Sequence, residues 1–213
     1  MKDLLVVMPC TQEYGSMQEY VRQLVAAEIH VHIEKLASIP NGNAGGTHAY
    51  AIDLMRRNCQ RFSDYQKIVF SDAFDVLFYG TKAEAIRKIP EDRVLLAAER
   101  NCYPEKLEIG GDTAWRYVNC GLSAGTPANF LTWLDEQEKH PFYHPIGLNQ
   151  GFFNRLLQEG SPLARIDSRT ELFYCLFGET NELHFENGLP VNTVLGTHPN
   201  FVHANGKWAM KRP

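Results

Sequence analysis

The chain has no C-x-x-C pair, no long apolar run and no excess of positive charge. Its five cysteines, Cys10, Cys59, Cys102, Cys120 and Cys175, are odd in number and widely spaced. Neither a zinc ribbon nor a disulfide framework is built that way, and a reducing, cytoplasmic setting is expected. A net charge of −4 gives no basic footprint for a nucleic-acid binder. No apolar stretch approaches the ~20 residues of a membrane span, so no membrane partner is expected. The apolar run before Pro9 is too short for a secretory leader and reads as a first buried strand. Repeats, low-complexity tracts and Pro/Gly/Ser-rich linkers are missing too, and residues 1–213 are expected to form one domain. With 44% hydrophobic and 22% charged residues, that domain has an ordinary globular composition.

The apolar residues that are present fall into alternating patterns. Residues 4–8, 67–71, 94–98 and 118–124 are short apolar runs of strand length, and residues 29–33 alternate like a strand. Between them, residues 17–27 have helical spacing, and Ala51, Leu54, Met55, Cys59 and Phe62 share one helical face. Further helices are expected at 82–88, at 127–138 with a proline in the first turn, and at 148–158. Residues 182–193 read as strand, turn and strand around Glu186-Asn187-Gly188. Strands alternating with helices predict an α/β domain with a mostly parallel central sheet and helices on both faces. Ligands of such sheets bind beyond the carboxyl ends of the strands.

At one such end, in KIVFSDAFDVLFYG, stand Asp72 and Asp75. A D-x-x-D pair there serves either a turn, through local hydrogen bonds, or a hard divalent cation with room for phosphate oxygens. His203, in FVHANG, is a hydrogen-bonded structural residue or a third ligand. The small residues after it let backbone approach a phosphate, and Lys207 either neutralises that phosphate or lies in a solvated tail. Glu99 and Tyr103 in AAERNCYPEK, Asn119 in YVNCGLSAG, and Asn149 and Gln150 in HPIGLNQGFFNRLL each fit a structural role when taken alone. A metal phosphohydrolase also uses strand-end aspartates, but the D-x-D spacing followed by Thr or Val is absent.

Taken in order, S-D-A-F-D-V, A-A-E-x-x-C-Y-P, Y-V-N-C-G, N-Q-x-F-F and a terminal H-A-N-G resemble the glycosyltransferase domain of the procollagen lysyl hydroxylase and collagen glycosyltransferase family. The resemblance runs over nearly the whole chain. It implies a single GT-A (Rossmann-like) domain that uses a UDP-sugar with Mn²⁺, or with Mg²⁺ in its place. It further implies that Asp72, Asp75 and His203 bind the metal, and that Asn205, Gly206 and Lys207 contact the nucleotide diphosphate. Thr11 falls at the uridine pocket, and Asn119 among the donor-binding residues. Gly45, Gly46 and His48 match a glycine-rich stretch ending in a basic nucleotide-contacting residue, where histidine is a departure. Tyr103 replaces the family's tryptophan beside the sugar.

The largest departure precedes Gln150, where the family's acidic run is reduced to Leu148-Asn149. Asn149 and Gln150 are expected at the sugar and acceptor end. The implied reaction moves a hexose, glucose or galactose, to the hydroxyl of a hydroxylated side chain, a glycan or a hydroxymethylated DNA base. An inverting course needs a base, for which Glu99 and Asp112 are the candidates. In a retaining course the leaving phosphate can take the proton. The relatives' lysyl hydroxylase portion is expected to be absent. A non-catalytic UDP-sugar-binding domain and a metal-dependent phosphohydrolase are the rival readings.

Overall fold

The computed structural model describes residues 2–10, 15–36, 48–104, 106–144, 149–176 and 180–205. The first half runs β1 (Lys2–Cys10), α1 (Gly15–Ala26), β2 (His30–Lys35), α2 (His48–Arg61), β3 (Tyr65–Ser71), β4 (Val76–Phe78), α3 (Lys82–Lys88) and β5 (Val94–Glu99). The second continues with β6 (Tyr117–Gly125), α4 (Pro127–Lys139), α5 (Asn149–Gln158), β7 (Ala164–Ile166), β8 (Phe173–Cys175), β9 (Leu183–Glu186), β10 (Leu189–Asn192) and β11 (Phe201–His203).

β1 shows why its sequence is apolar almost throughout. Leu4, Val6 and Met8 pack with Met17, Tyr20 and Leu24 of α1 on one side of the sheet. Leu5 and Val7 pack on the other side with Ile52 of α2, Phe130 and Trp133 of α4 and Phe153 of α5. A strand covered on both faces has no solvent face on which to place polar residues. Helices thus lie on both sides of the sheet, as expected. Helix ends follow local rules. Thr81 and Glu84 form a capping box at α3, and Thr126 caps α4 ahead of Pro127. The β9–β10 turn places Asn187 at φ 52° and Gly188 at φ 79°, the left-handed pair that a tight hairpin requires.

The central sheet has six strands in the order β2-β1-β3-β6-β5-β7. It is mostly parallel: β1 pairs in parallel with β2 and β3, and β5 with β7. β6 is the exception, antiparallel to both β3 and β5. Because it runs backwards, its first residues lie at the carboxyl ends of its neighbours. The β5–β6 register also breaks there. Ser123 faces Leu96 but Asn119 faces Ala97, so residues 120–122 leave that ladder as a bulge.

A second, three-stranded sheet has the order β4-β11-β8, with β11 antiparallel to β4 and parallel to β8. β4, β7 and β8, each three residues long, were not among the expected elements, since so short a run shows no period. The turn leading into β8 is held by buried Asp167. Its carboxylate accepts the backbone N–H groups of Glu171, Leu172 and Phe173 at 3.0, 2.7 and 2.8 Å. Among the described residues, no helix is long and apolar enough to cross a membrane.

Asp167→Ala leaves those three donors without their acceptor. The expected loss is about 3 kcal/mol or more in urea unfolding. Asp167→Asn, which keeps one acceptor oxygen, is expected to lose less.

Candidate functional site

Asp72 directly follows β3, Asp75 precedes β4, and His203 ends β11. The β4–β11 pairing sets His203 opposite Val76, and the Ala204 N–H donates to the Asp75 carbonyl at 2.7 Å. Asp72 is fixed from the other sheet, its N–H donating to the Gly121 carbonyl at 2.7 Å. Beneath it, buried Tyr20 and Ser71 share a hydrogen bond of 2.9 Å, and Ser71 Oγ donates to the Asp72 carbonyl.

One ligand atom from each of Asp72, Asp75 and His203 lies within 4.8 Å of the others. His203 is 2% exposed, and its Nε2 stands 3.4 Å from Asp72 Oδ2 and 3.3 Å from Asp75 Oδ2. That nitrogen has no hydrogen-bond partner although it is buried. Both carboxylates stand beyond the usual hydrogen-bond length, so they pair with the ring by charge and not through a well-formed hydrogen bond. On the ring's other side, Nδ1 is 3.1 Å from Asn119 Oδ1 and 3.9 Å from Cys175 Sγ. Burial opposes charge on this imidazole, yet the two carboxylates outweigh it and raise its pKa well above the usual value. A cation between the carboxylates satisfies the same demand for positive charge. Burial lifts the Cys175 thiol to about 11, so it sits behind the ring as a neutral neighbour.

Gly121 makes this approach possible. A Cβ there would stand 2.2 Å from His203 Cε1 and 2.6 Å from Asp72 Oδ2. The motif YVNCGLSAG was quoted above for Asn119 and not for this glycine. A glycine inside a strand, two positions after Asn119, was the available signal for close approach. Beside Asp72, a small cleft is lined by Pro9, Tyr50, Met55, Phe70 and Cys120. It lies at the end of β1 and against α2, where a nucleotide base is expected.

Glu99 is buried, and its carboxylate accepts from Gln150 Nε2 at 2.5 Å and from Asn205 Nδ2 at 2.8 Å. Burial raises its pKa, against the lowering effect of these amides. Gln150 also accepts the Cys120 N–H at 3.4 Å, so its amide braces α5 against β5 and β6. Tyr103 is 56% exposed. Its carbonyl accepts from Asn154 of α5, and Pro104 packs so closely on Gly151 that a Cβ there would stand 2.9 Å from Pro104 Cδ. Tyr103 therefore sits over the first turns of α5. Asp112 is exposed, and no contact joins it to the cluster among the described residues. Thr11, Gly45, Gly46, Gly206 and Lys207 lie outside the described residues, as do the side chains of His48 and Asn149.

A family model described as "PLOD GT domain" matches residues 1–211. The chain is 26% identical over 234 residues to a "Multifunctional procollagen lysine hydroxylase and glycosyltransferase" of Caenorhabditis elegans, covering 96% of this chain and 30% of the relative. It is 27% identical over 228 residues to the enzyme LH3 of Homo sapiens, which carries the same description, covering 95% of this chain and 30% of LH3. The chain thus spans under a third of the length of these relatives. In fold it is similar to a glycosyltransferase involved in glycosylation of the major capsid of PBCV-1, with a TM-score of 0.58 at 10% identity, covering 96% of this chain and 94% of that one.

Gly121→Ala tests the close approach. The added methyl must displace His203 or Asp72, and divalent-cation affinity by calorimetry is expected to fall about tenfold or more, with a stability cost of about 1–3 kcal/mol. Gly110→Ala, where a Cβ meets nothing within 4 Å, is expected to leave the affinity unchanged.

Proposed function

Because the chain belongs to the family of PLOD glycosyltransferase domains, and is on that ground a glycosyltransferase, we propose that it moves a hexose from a UDP-sugar to an acceptor hydroxyl with Mn²⁺ as cofactor. The observation that carries the cofactor is His203 Nε2, buried, without a hydrogen-bond partner and turned to both aspartates. Two carboxylate oxygens with one imidazole nitrogen suit Mn²⁺ better than Mg²⁺, which favours an all-oxygen shell. Asp72, Asp75 and His203 would hold the ion, whose chemistry is to neutralise charge on the departing diphosphate. The base and ribose would enter the cleft beside Asp72, with Pro9 and Met55 among its apolar walls.

The remaining residues divide by what their polar atoms already do. Glu99 has both oxygens engaged, one by Gln150 and one by Asn205, and among the described residues Asp112 has no contact with the cluster, so neither suits a general base. This favours the retaining course, in which the acceptor proton passes to the leaving phosphate. Tyr103, exposed over α5, would form the wall of the sugar and acceptor end. As acceptor we favour a hydroxylated side chain over a glycan or a modified DNA base. The curated relatives are named for procollagen lysine, and a net charge of −4 is adverse to DNA.

UDP release from a panel of UDP-sugars, with and without Mn²⁺, tests this reading. Release is expected with UDP-glucose or UDP-galactose and only with the metal. Asp75→Ala is expected to weaken Mn²⁺-dependent UDP binding about 100-fold, because one of three protein ligands is lost. Equal UDP binding in Mn²⁺ and in chelator would rule out the metal site. ADP and GDP are expected to compete poorly, since a uracil pocket leaves polar groups unpaired with a purine.

A further inference from the structure

Asn119 is buried, and the family resemblance puts it among the donor-binding residues. Its side-chain oxygen is already committed elsewhere. At the bulge, residues 120–122 leave the β5 ladder, and the Gly121 N–H donates to Asn119 Oδ1 at 2.9 Å. That contact fixes which end of the amide is the oxygen, since an NH₂ group cannot accept. The same Oδ1 stands 3.1 Å from His203 Nδ1, with both residues withdrawn from water. An amide oxygen has two lone pairs, so it can accept the Gly121 N–H and an Nδ1–H together. With a proton on Nδ1 committed to that oxygen, Nε2 is the nitrogen turned to Asp72 and Asp75. The sulfur of Cys175, 3.9 Å from Nδ1, is a longer and weaker competing acceptor. The Gly121 carbonyl meanwhile accepts the Asp72 N–H at 2.7 Å. One turn of β6 thus reaches two residues of the cluster, holding the histidine by a side chain and the aspartate by backbone.

We propose that Asn119 is a positioning residue for the cation site: its Oδ1, anchored by the Gly121 N–H, holds His203 Nδ1 and so presets Nε2 as the metal ligand. The proposal rests on reading Asp72, Asp75 and His203 as a cation site. Asn119 acts through the imidazole and touches neither ion nor donor in this role. Acceptors behind a ligating imidazole fix both its tautomer and the orientation of its ring. Without that hold, a ring turned by a half rotation about Cβ–Cγ would put a carbon where Nε2 now stands. The cluster would then lose its third ligand. An aspartate at position 119 offers the same acceptor to both partners, whereas an alanine offers none and also leaves the Gly121 N–H without Oδ1.

The test reads the metal and the ring separately. Mn²⁺ binding to the nucleotide-free protein is titrated by the electron paramagnetic resonance signal of the free ion. On metal-free protein, nitrogen-15 NMR of histidine reports whether the His203 Nδ1–H is protected from exchange, the signal being assigned by its loss in His203→Gln. Asn119→Ala is expected to weaken Mn²⁺ binding about 10–100-fold, the range found when an outer-shell partner of a ligand is lost. It should also lose the protected Nδ1–H. Asn119→Asp, which keeps the acceptor, is expected to retain the affinity and the protected proton, a rescue that loss of packing alone would not give. Wild-type affinity or a protected Nδ1–H in Asn119→Ala would overturn the proposal, as would equal losses in the alanine and aspartate variants. An alanine variant that binds Mn²⁺ normally but loses UDP affinity would put Asn119 against the donor, and is equally fatal. Should Asn119→Ala fail to fold, the wild-type protein loaded with diamagnetic Zn²⁺ decides it. A metal-shifted Nε2 beside a protonated Nδ1 is expected there, and the reverse assignment would overturn the proposal. A wild-type protein that binds no divalent cation would refute the metal reading and this role with it, whereas Mn²⁺ binding that Asn119→Ala leaves intact refutes the role alone.

Discussion

Where β6 enters the sheet, its backbone at Gly121 passes between His203 and Asp72 with no room for a Cβ. That contact joins the two sheets. Asp72 belongs to the central sheet through β3, whereas His203 belongs to the small sheet through β11, and the bare backbone of Gly121 lets their side chains meet. The antiparallel course of β6 is what makes this possible. A parallel strand in its place would bring its last residues to this edge, and then a helix. β6 brings its first residues, and the bulge at residues 120–122 turns them towards the cluster. One reversed strand thus supplies Asn119 behind the imidazole, Gly121 beside it and Cys120 on the wall of the cleft.

The buried polar groups around this contact form a chain of obligations. Each amide near Glu99 is withdrawn from water and must be paired, and the pairing runs from α5 through β5 and β6 to the residue after β11. Elsewhere the scaffold uses the same device for shape alone. Asp167 gathers three backbone N–H groups to form the turn before β8, and Lys88 donates to the His198 carbonyl and Asn200 Oδ1 before β11. Arg100 lies over the Trp115 ring at 4.2 Å and pairs with Glu182, tying the segment after β5 to the hairpin. A carboxylate at a strand end can therefore be a ligand, a hub or a splint. Its neighbours decide which.

Much of this was legible in the sequence, and for stated reasons. Doubly buried strands announce themselves as unbroken apolar runs, so β1, β3 and β5 stood out, and Asn187-Gly188 marked its hairpin. The D-x-x-D pair and the distant histidine gave the residues of the cluster but could not bring them together, because that depends on β4 pairing with β11. β4 and β8, three residues each, carry no period, and so the small sheet went unseen. Glu99 and Gln150 read as candidates for chemistry because a strand end or helix start is where chemistry is found. Only the packed structure reveals that they engage each other, with Asn205 on the second oxygen of Glu99 and the Cys120 N–H on Gln150. The antiparallel direction of β6 was also hidden, since an apolar strand reads alike in either sense.

The pairing of β4 with β11 joins segments separated by more than half of the chain. A contact of such long range closes a large loop, and its entropic cost falls due late in folding. The central sheet can bury most of its apolar residues before residues 201–203 arrive. The cluster cannot exist until they do. Ion binding at Asp72, Asp75 and His203 would then act as a latch on the last strand, adding its binding free energy to a pairing of only three residues on each side. A cation at that cluster would thus hold the last strand in place.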